Sequence, residues 1–228
     1  MAITHVIYDF DGLLVDTEPC YKAVHKEILG RFGHEFTPEL ASHMMGRKEK
    51  EAFIWLIDKL NIGDKITPEQ YIKEYDSMLT KMYAQCKPMP GAERLVRHLH
   101  KKGIPTALCS GSRSSKYGPR REPHKAWLDL IPIQVFIGDM EEIKHGKPYP
   151  DGFLATMNRF PEKPAAPSNI LVFEDAPNGG RAAIAAGMRC VMVPADEHRE
   201  EVMRLGVTKV INTLEEFRPE EFGLPPYD

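Results

Sequence analysis

The chain has 228 residues, 42% of them hydrophobic and 28% charged, which is the balance of an ordinary globular protein long enough to bury a full core. Its formal net charge of -3 gives no electrostatic reason to expect a nucleic-acid polymer as partner. No segment approaches the ~18 consecutive apolar residues of a membrane span, so no membrane partner is expected either.

The chain opens on an apolar, β-branched run, His5-Val6-Ile7-Tyr8, that ends in Asp9-Phe10-Asp11-Gly12. Strand side chains alternate faces, so if the strand persists to its tip Asp9 and Asp11 aim into one space at its carboxyl end. Open parallel sheets place their ligands at that edge. Gly12 lets the chain turn there without a Cβ penalty. The first strand starts almost at once, which leaves no room for a signal peptide. Cys20, Cys86, Cys109 and Cys190 form no CxxC pair and are expected as buried free thiols, so the chain reads as cytoplasmic.

After Asp16-Thr17 the pattern becomes helical. Tyr21, Val24, Ile28 and Phe32 make one apolar stripe; Phe53, Leu56, Ile57 and Leu60 make a second; Tyr71, Tyr75, Leu79 and Met82 belong to a third. Thr37-Pro38 and Thr67-Pro68 read as helix starts with proline at the first helical position. From Lys87-Pro88 onward strands and helices alternate. Strands are expected at 104–110, 135–137, 169–173, 190–193 and 209–211, and helices beginning at Ala92, Phe153 and Pro177. This alternation predicts an α/β fold, a doubly wound parallel sheet, interrupted after its first strand by an all-helical insertion. The expected domains are a core of residues 1–17 and 88–228 and a cap of residues 18–87. The stretch 112–125, rich in Arg and Lys, reads as a solvated loop that could also gather anionic substrate.

Three further chemical patterns follow in order: Ser110-Gly111-Ser112 closing the second strand, Gly146-Lys147-Pro148 in a restrained turn, and Glu174-Asp175 after the fourth apolar strand. A hydroxyl beside a glycine offers donors to an anion. A crowd of carboxylates at one sheet edge needs cations; Lys147 is one, and a hard divalent metal with oxygen ligands is the natural other.

These four motifs resemble, in order and spacing, those of the haloacid dehalogenase-like (HAD) hydrolase superfamily. The resemblance implies a Rossmann-like core with an inserted helical cap, and Mg²⁺ held by Asp9, the Asp11 backbone carbonyl and Asp175, with Glu174 acting directly or through water. It implies Asp9 as the nucleophile that becomes an aspartyl-phosphate, Asp11 as general acid–base, and Ser110 and Lys147 as stabilisers of the transferring group. Backbone groups at Phe10, Gly12 and Gly111 would bind the phosphoryl oxygens, and Arg47 in the cap would contact the substrate. An aspartate at position 11 disfavours the dehalogenases and phosphonate-cleaving members. Tyr21, where mutases resembling β-phosphoglucomutase carry histidine, favours hydrolysis over isomerisation. Within the superfamily the chain looks most like the phosphatases acting on pseudouridine 5'-phosphate. Sugar-phosphate phosphatases, a mutase and a phosphate-sensing binding protein stay open as alternatives. The expected partner is a small phosphorylated metabolite, and the expected state a monomer.

Overall fold

The computed structural model describes residues 2–44 and 49–228. They fall into two units, Met1–Asp16 with Lys87–Asp228, and Thr17–Cys86. The first unit is built on six parallel strands: β1 (His5–Tyr8), β2 (Thr106–Ser110), β3 (Ile133–Phe136), β4 (Ile170–Glu174), β5 (Arg189–Met192) and β6 (Lys209–Val210). They are ordered β3-β2-β1-β4-β5-β6, so the direction of winding reverses between β1 and β4, and ligand sites of open α/β sheets lie at such a point. Every residue of β1, β2 and β4 is buried, as expected of central strands covered on both faces. Tyr8 is in register with Leu108 on one side and Phe173 on the other. One residue further, Asp9, Cys109 and Glu174 therefore reach the carboxyl edge at the same level.

The second unit contains α1 (Glu18–Gly30), α2 (Pro38–Met44), α3 (Glu49–Lys59) and α4 (Pro68–Met82). Both expected helix starts are found. Thr67 accepts from the Gln70 N–H at 3.2 Å while Gln70 Oε1 accepts from the Thr67 N–H at 2.9 Å, which completes a capping box ahead of α4. Thr37 Oγ1 accepts from the Leu40 N–H ahead of α2. The arginine expected to meet the substrate, Arg47, lies outside the described residues, as do Met45, Gly46 and Lys48.

The middle of this unit is an aromatic box around His25. Its ring stacks on Phe36, with centroids 4.4 Å apart, touches Phe53 and Tyr75, and Nδ1 lies 2.7 Å from the Tyr71 hydroxyl. Burial lowers the imidazole from its ordinary value to about 4. The unfolded chain therefore takes up a proton at higher pH than the folded one. His25 contributes its full stability above about pH 6.5 and loses it as pH falls toward 4, at a total cost of about 3 kcal/mol. The unfolding midpoint of this unit should drop across that window, and His25→Phe should flatten the drop; circular dichroism melts at stepped pH measure both.

In the first unit the sheet is flanked by α5 (Ala92–Lys101), α6 (Ser114–Arg121), α7 (Lys125–Leu128), α8 (Asp151–Met157), α9 (Pro177–Ala185) and α10 (Asp196–Met203). Small residues bring α9 close to the sheet: Gly179, Gly180, Ala182 and Ala183 are all buried against a core that includes Ile7, Val172 and Cys190. The expected strands and helices are found, with ends displaced by one to three residues, and α10 is a helix that the pattern does not predict. The stretch 112–125 differs, because it holds a helix in place of a solvated loop. Tyr117 and Arg120, three residues apart on α6, both turn inward and are 4% and 1% exposed. Two short turns near the end of the chain seat Phe217 and Phe222 in the core, Phe217 packing edge-on against Phe173 at 4.8 Å. Among the described residues no helix is long and apolar enough to cross a membrane.

Candidate active site

Asp9 is the first residue past β1, and its N–H still donates to the Phe173 carbonyl at 3.0 Å, so its backbone is fixed by the sheet. Lys147 reaches in from the loop before α8. Its Nζ lies 2.5 Å from Asp9 Oδ1 and 2.5 Å from Glu174 Oε1, and it donates to the Cys109 carbonyl at 3.3 Å. Its ammonium also lies 5.1 Å from the Phe153 ring centroid. Glu174 ends β4 and is wholly buried. Its other oxygen accepts from the Asp175 N–H at 3.1 Å and the Ala176 N–H at 3.4 Å, at the start of α9.

Two glycines make room for these acids. A Cβ on Gly179 would lie about 2 Å from the Glu174 carboxylate, within its own atoms' reach (1.9 to 2.2 Å). Gly12 has φ +79, and a Cβ there would come within 2.4 Å of Asp175 Oδ2. Carboxylate oxygens of Asp9, Glu174 and Asp175 lie within 4.8 Å of one another. Burial raises the Asp9 carboxyl to about 7, Lys147 pulling it back and Glu174 pushing it further up. Burial, followed by Glu174 and Asp9, raises Asp175 well above the carboxylate range. Burial favours a neutral Lys147, but Asp9 and Glu174 reverse this and hold the ammonium well above its ordinary value. Fully ionised, three acids against one ammonium would carry an excess of negative charge, and all the donors are hard oxygens. The set suits a small divalent cation.

Asp11 does not join this group. Strand pairing in β1 stops at Tyr8, so the two-residue alternation that would align Asp11 with Asp9 no longer applies. The chain turns instead: the N–H groups of Leu14 and Val15 both donate to the Phe10 carbonyl, and Gly12 donates to Val15. The Asp11 carboxylate is taken by Ser112, whose hydroxyl donates to Oδ2 at 3.2 Å, and by Arg120, whose Nη1 donates to Oδ1. Neither partner was singled out for this task by the sequence, since a buried arginine within a basic stretch has no periodic signature. Ser110 ends β2 in a buried position, and its oxygen accepts from the Ser112 N–H at 3.1 Å, which leaves its own proton to give away. Gly111 is exposed with open space where a side chain would be. Phe10 is buried against Tyr117, ring centroids 4.9 Å apart. Tyr21, in the other unit, lies on α1 with its ring 6.5 Å from that of Tyr83.

The parallel sheet agrees with what comparison with known proteins shows. The family model described as haloacid dehalogenase-like hydrolase matches residues 6–193. A protein of Arabidopsis thaliana named (DL)-glycerol-3-phosphatase 1, mitochondrial, is 43% identical over 99% of this chain and 75% of its own length. A Drosophila melanogaster protein named "Probable pseudouridine-5'-phosphatase" is 34% identical over 99% of this chain and 96% of its own. Among solved structures, a HAD hydrolase of family IA, variant 3, from Entamoeba histolytica superposes with TM-score 0.78 at 25% identity, covering 97% of each chain. The chain belongs to the haloacid dehalogenase-like hydrolases. Within that family it is a phosphatase, a phosphoric monoester hydrolase.

Proposed function

We propose that the enzyme hydrolyses a small phosphorylated metabolite in two steps through Asp9. A carboxylate oxygen of Asp9 attacks phosphorus, the bond from phosphorus to the ester oxygen breaks, and Asp11 gives its proton to the departing alkoxide. Water then attacks the phosphorus of the aspartyl-phosphate, the bond from phosphorus to Asp9 breaks, and the proton from water passes to Asp11. One ester and one water become one alcohol and one phosphate, and both carboxyl groups return to their starting states.

Lys147, the Ser110 hydroxyl and the backbone N–H groups near Phe10 and Gly111 bind the equatorial oxygens, while the Gly12 N–H is already given to the Val15 carbonyl, so Gly12 serves the turn. Such fixed donors carry much of the catalysis in phosphoryl transfer. Mg²⁺ would be held by the side chains of Asp9 and Asp175 and the backbone carbonyl of Asp11, and when bound it supplies positive charge to the phosphoryl oxygens. Glu174 Oε2 accepts from two N–H groups and Oε1 is ion-paired with Lys147 without a hydrogen bond, which supports a part played through water. The helical residues 18–87 take the part of the cap that selects the leaving group, with Arg47 among its contacts. Four cysteines present as free thiols favour the cytosol.

The observation that carries this reading is Lys147 bridging Asp9 and Glu174 beside Asp175 at the sheet's switch point. For the substrate, the sequence resemblance put pseudouridine 5'-phosphate first. The higher identity to a glycerol-3-phosphatase moves glycerol 3-phosphate ahead of it, and the Drosophila relative keeps the nucleotide as the second reading. A phosphate-release panel with both compounds and hexose phosphates, with Mg²⁺ and again with EDTA, decides. Release that survives EDTA, or none from any phosphomonoester, overturns the proposal.

Metal binding should also follow pH. The folded Asp9 carboxyl sits near 7, above its unfolded value, so its protonated form stabilises the metal-free protein fully at low pH. That contribution is lost as pH rises through about 7. Mg²⁺ needs the ionised carboxylate, so the rise in melting temperature it produces should be small at pH 5 and grow to its full size by pH 8.

A further inference from the structure

The Asp11 carboxylate is gripped at both oxygens by groups outside the acid cluster, and the stronger grip comes from a side chain that is almost wholly enclosed. Arg120 is 1% exposed. A guanidinium so buried requires a carboxylate, and Asp11 supplies it through the Nη1 to Oδ1 hydrogen bond. Two further contacts fix the plane of the guanidinium. Its Nε donates to the Lys116 carbonyl one turn back on α6 at 2.8 Å, and its carbon lies 5.2 Å from the Phe10 ring centroid. Phe10 is the residue between the two catalytic aspartates, and Tyr117 on the same helix packs on the same ring. One face of α6 thus seats both the spacer between Asp9 and Asp11 and the carboxylate of Asp11.

We propose that Arg120 is the positioning residue that aims Asp11: with Ser112 it sets the direction from which that carboxyl meets the leaving oxygen and, later, the attacking water. The inference rests on the acid–base part assigned to Asp11 above. In this assignment Arg120 forms no bond to phosphorus and works only through Asp11. It acts by geometry, and a misplacement of about 1 Å at a reacting group can cost on the order of 10²-fold. Lysine is not an equivalent, because a single ammonium cannot hold the Lys116 carbonyl and the Asp11 carboxylate in one plane.

The test separates the two half-reactions with p-nitrophenyl phosphate, whose leaving group departs without a proton from the enzyme. Rapid-mix acid quench and intact-mass measurement follow phosphorylation of the chain, and phosphate release follows its hydrolysis. In Arg120→Met the phosphorylation rate should stay within about twofold of the parent while hydrolysis slows by about 10–100-fold, so that phosphorylated chain accumulates. With glycerol 3-phosphate, which needs the proton, phosphorylation should slow as well. Asp11→Asn should give the same pattern more strongly.

If Asp11→Asn slows neither half-reaction, the acid–base reading falls and this inference with it. If Asp11→Asn shows the pattern and Arg120→Met matches the parent, the part assigned to Arg120 alone is overturned. It is overturned too if Arg120→Met loses both phases in equal proportion, the mark of a merely structural residue. Should the methionine variant not fold, Arg120→Lys decides: hydrolysis about 3–10-fold slower with phosphorylation retained supports the assignment, and an unchanged rate overturns it.

Discussion

Asp9→Asn should abolish turnover, with kcat falling by roughly 10⁵-fold or more, while the protein folds at least as well as the parent. The amide is nearly the same size and keeps one oxygen for Lys147, but it cannot carry the negative charge that makes the carboxylate a nucleophile. The second half of the expectation follows from charge. Asp9, Glu174 and Asp175 share one buried ammonium, and burial together with Glu174 already pushes Asp9 up to about 7. Removing one of three crowded carboxylates relieves that repulsion at neutral pH, so the metal-free variant should melt no lower than the parent, and higher at pH 8 than the parent does. Paired measurements of phosphate release and thermal melting check both parts. An inactive variant that has also lost its fold would say nothing for the nucleophile; an active one would remove Asp9 from that position.

How much of this was legible beforehand depended on whether a local pattern carried the geometry. The tips of β1, β2 and β4 were readable because an apolar, β-branched run that ends in acid or hydroxyl can only present those groups at its end, and parallel register then brings them level. Lys147 was readable because glycine and proline on either side restrain it. The direction of Asp11 was not readable. Alternation holds only while the strand pairs, and β1 stops one residue before Asp9, after which the turn onto the Phe10 carbonyl sets the direction. Helix α6 hid for a different reason. Its sequence, SSKYGPRR, contains glycine, proline and five serine, lysine or arginine residues, and its inward face is a tyrosine and an arginine in place of an apolar stripe. Long-range pairs left no trace either. Cys20 and Cys86, 66 positions apart, bring their sulfurs to 2.8 Å in the helical unit, a contact that no spacing rule announces.

Lys147→Met should combine a large loss of stability with a large loss of activity, and the two should separate by pH. The ammonium is the cation shared by Asp9 and Glu174, at 2.5 Å from each, and Glu174 is 1% exposed. Methionine keeps a flexible apolar stem against Phe153 but leaves those carboxylates without their partner. Breaking one side of a buried ion pair costs about 3–5 kcal/mol, because the remaining charge has no compensation. Asp9 can escape part of that cost by taking up a proton. The destabilisation of Lys147→Met relative to the parent should therefore be mild at pH 5 and widen toward pH 8, as Asp9, whose carboxyl sits near 7 in the parent, gives up its proton. Mg²⁺ should recover some of the lost stability at pH 8 by replacing part of the missing positive charge. Activity should not recover with it. A donor aimed at the transferring oxygens is worth roughly 10²–10³-fold in kcat, and a cation that Asp9 and Asp175 would hold would not replace that donor. If melting temperature and kcat both returned to parental values at high Mg²⁺, Lys147 would be only a counter-ion to the acid cluster. If stability returned while kcat stayed at least about 10²-fold down, the lysine serves the reacting phosphoryl group as well as the fold.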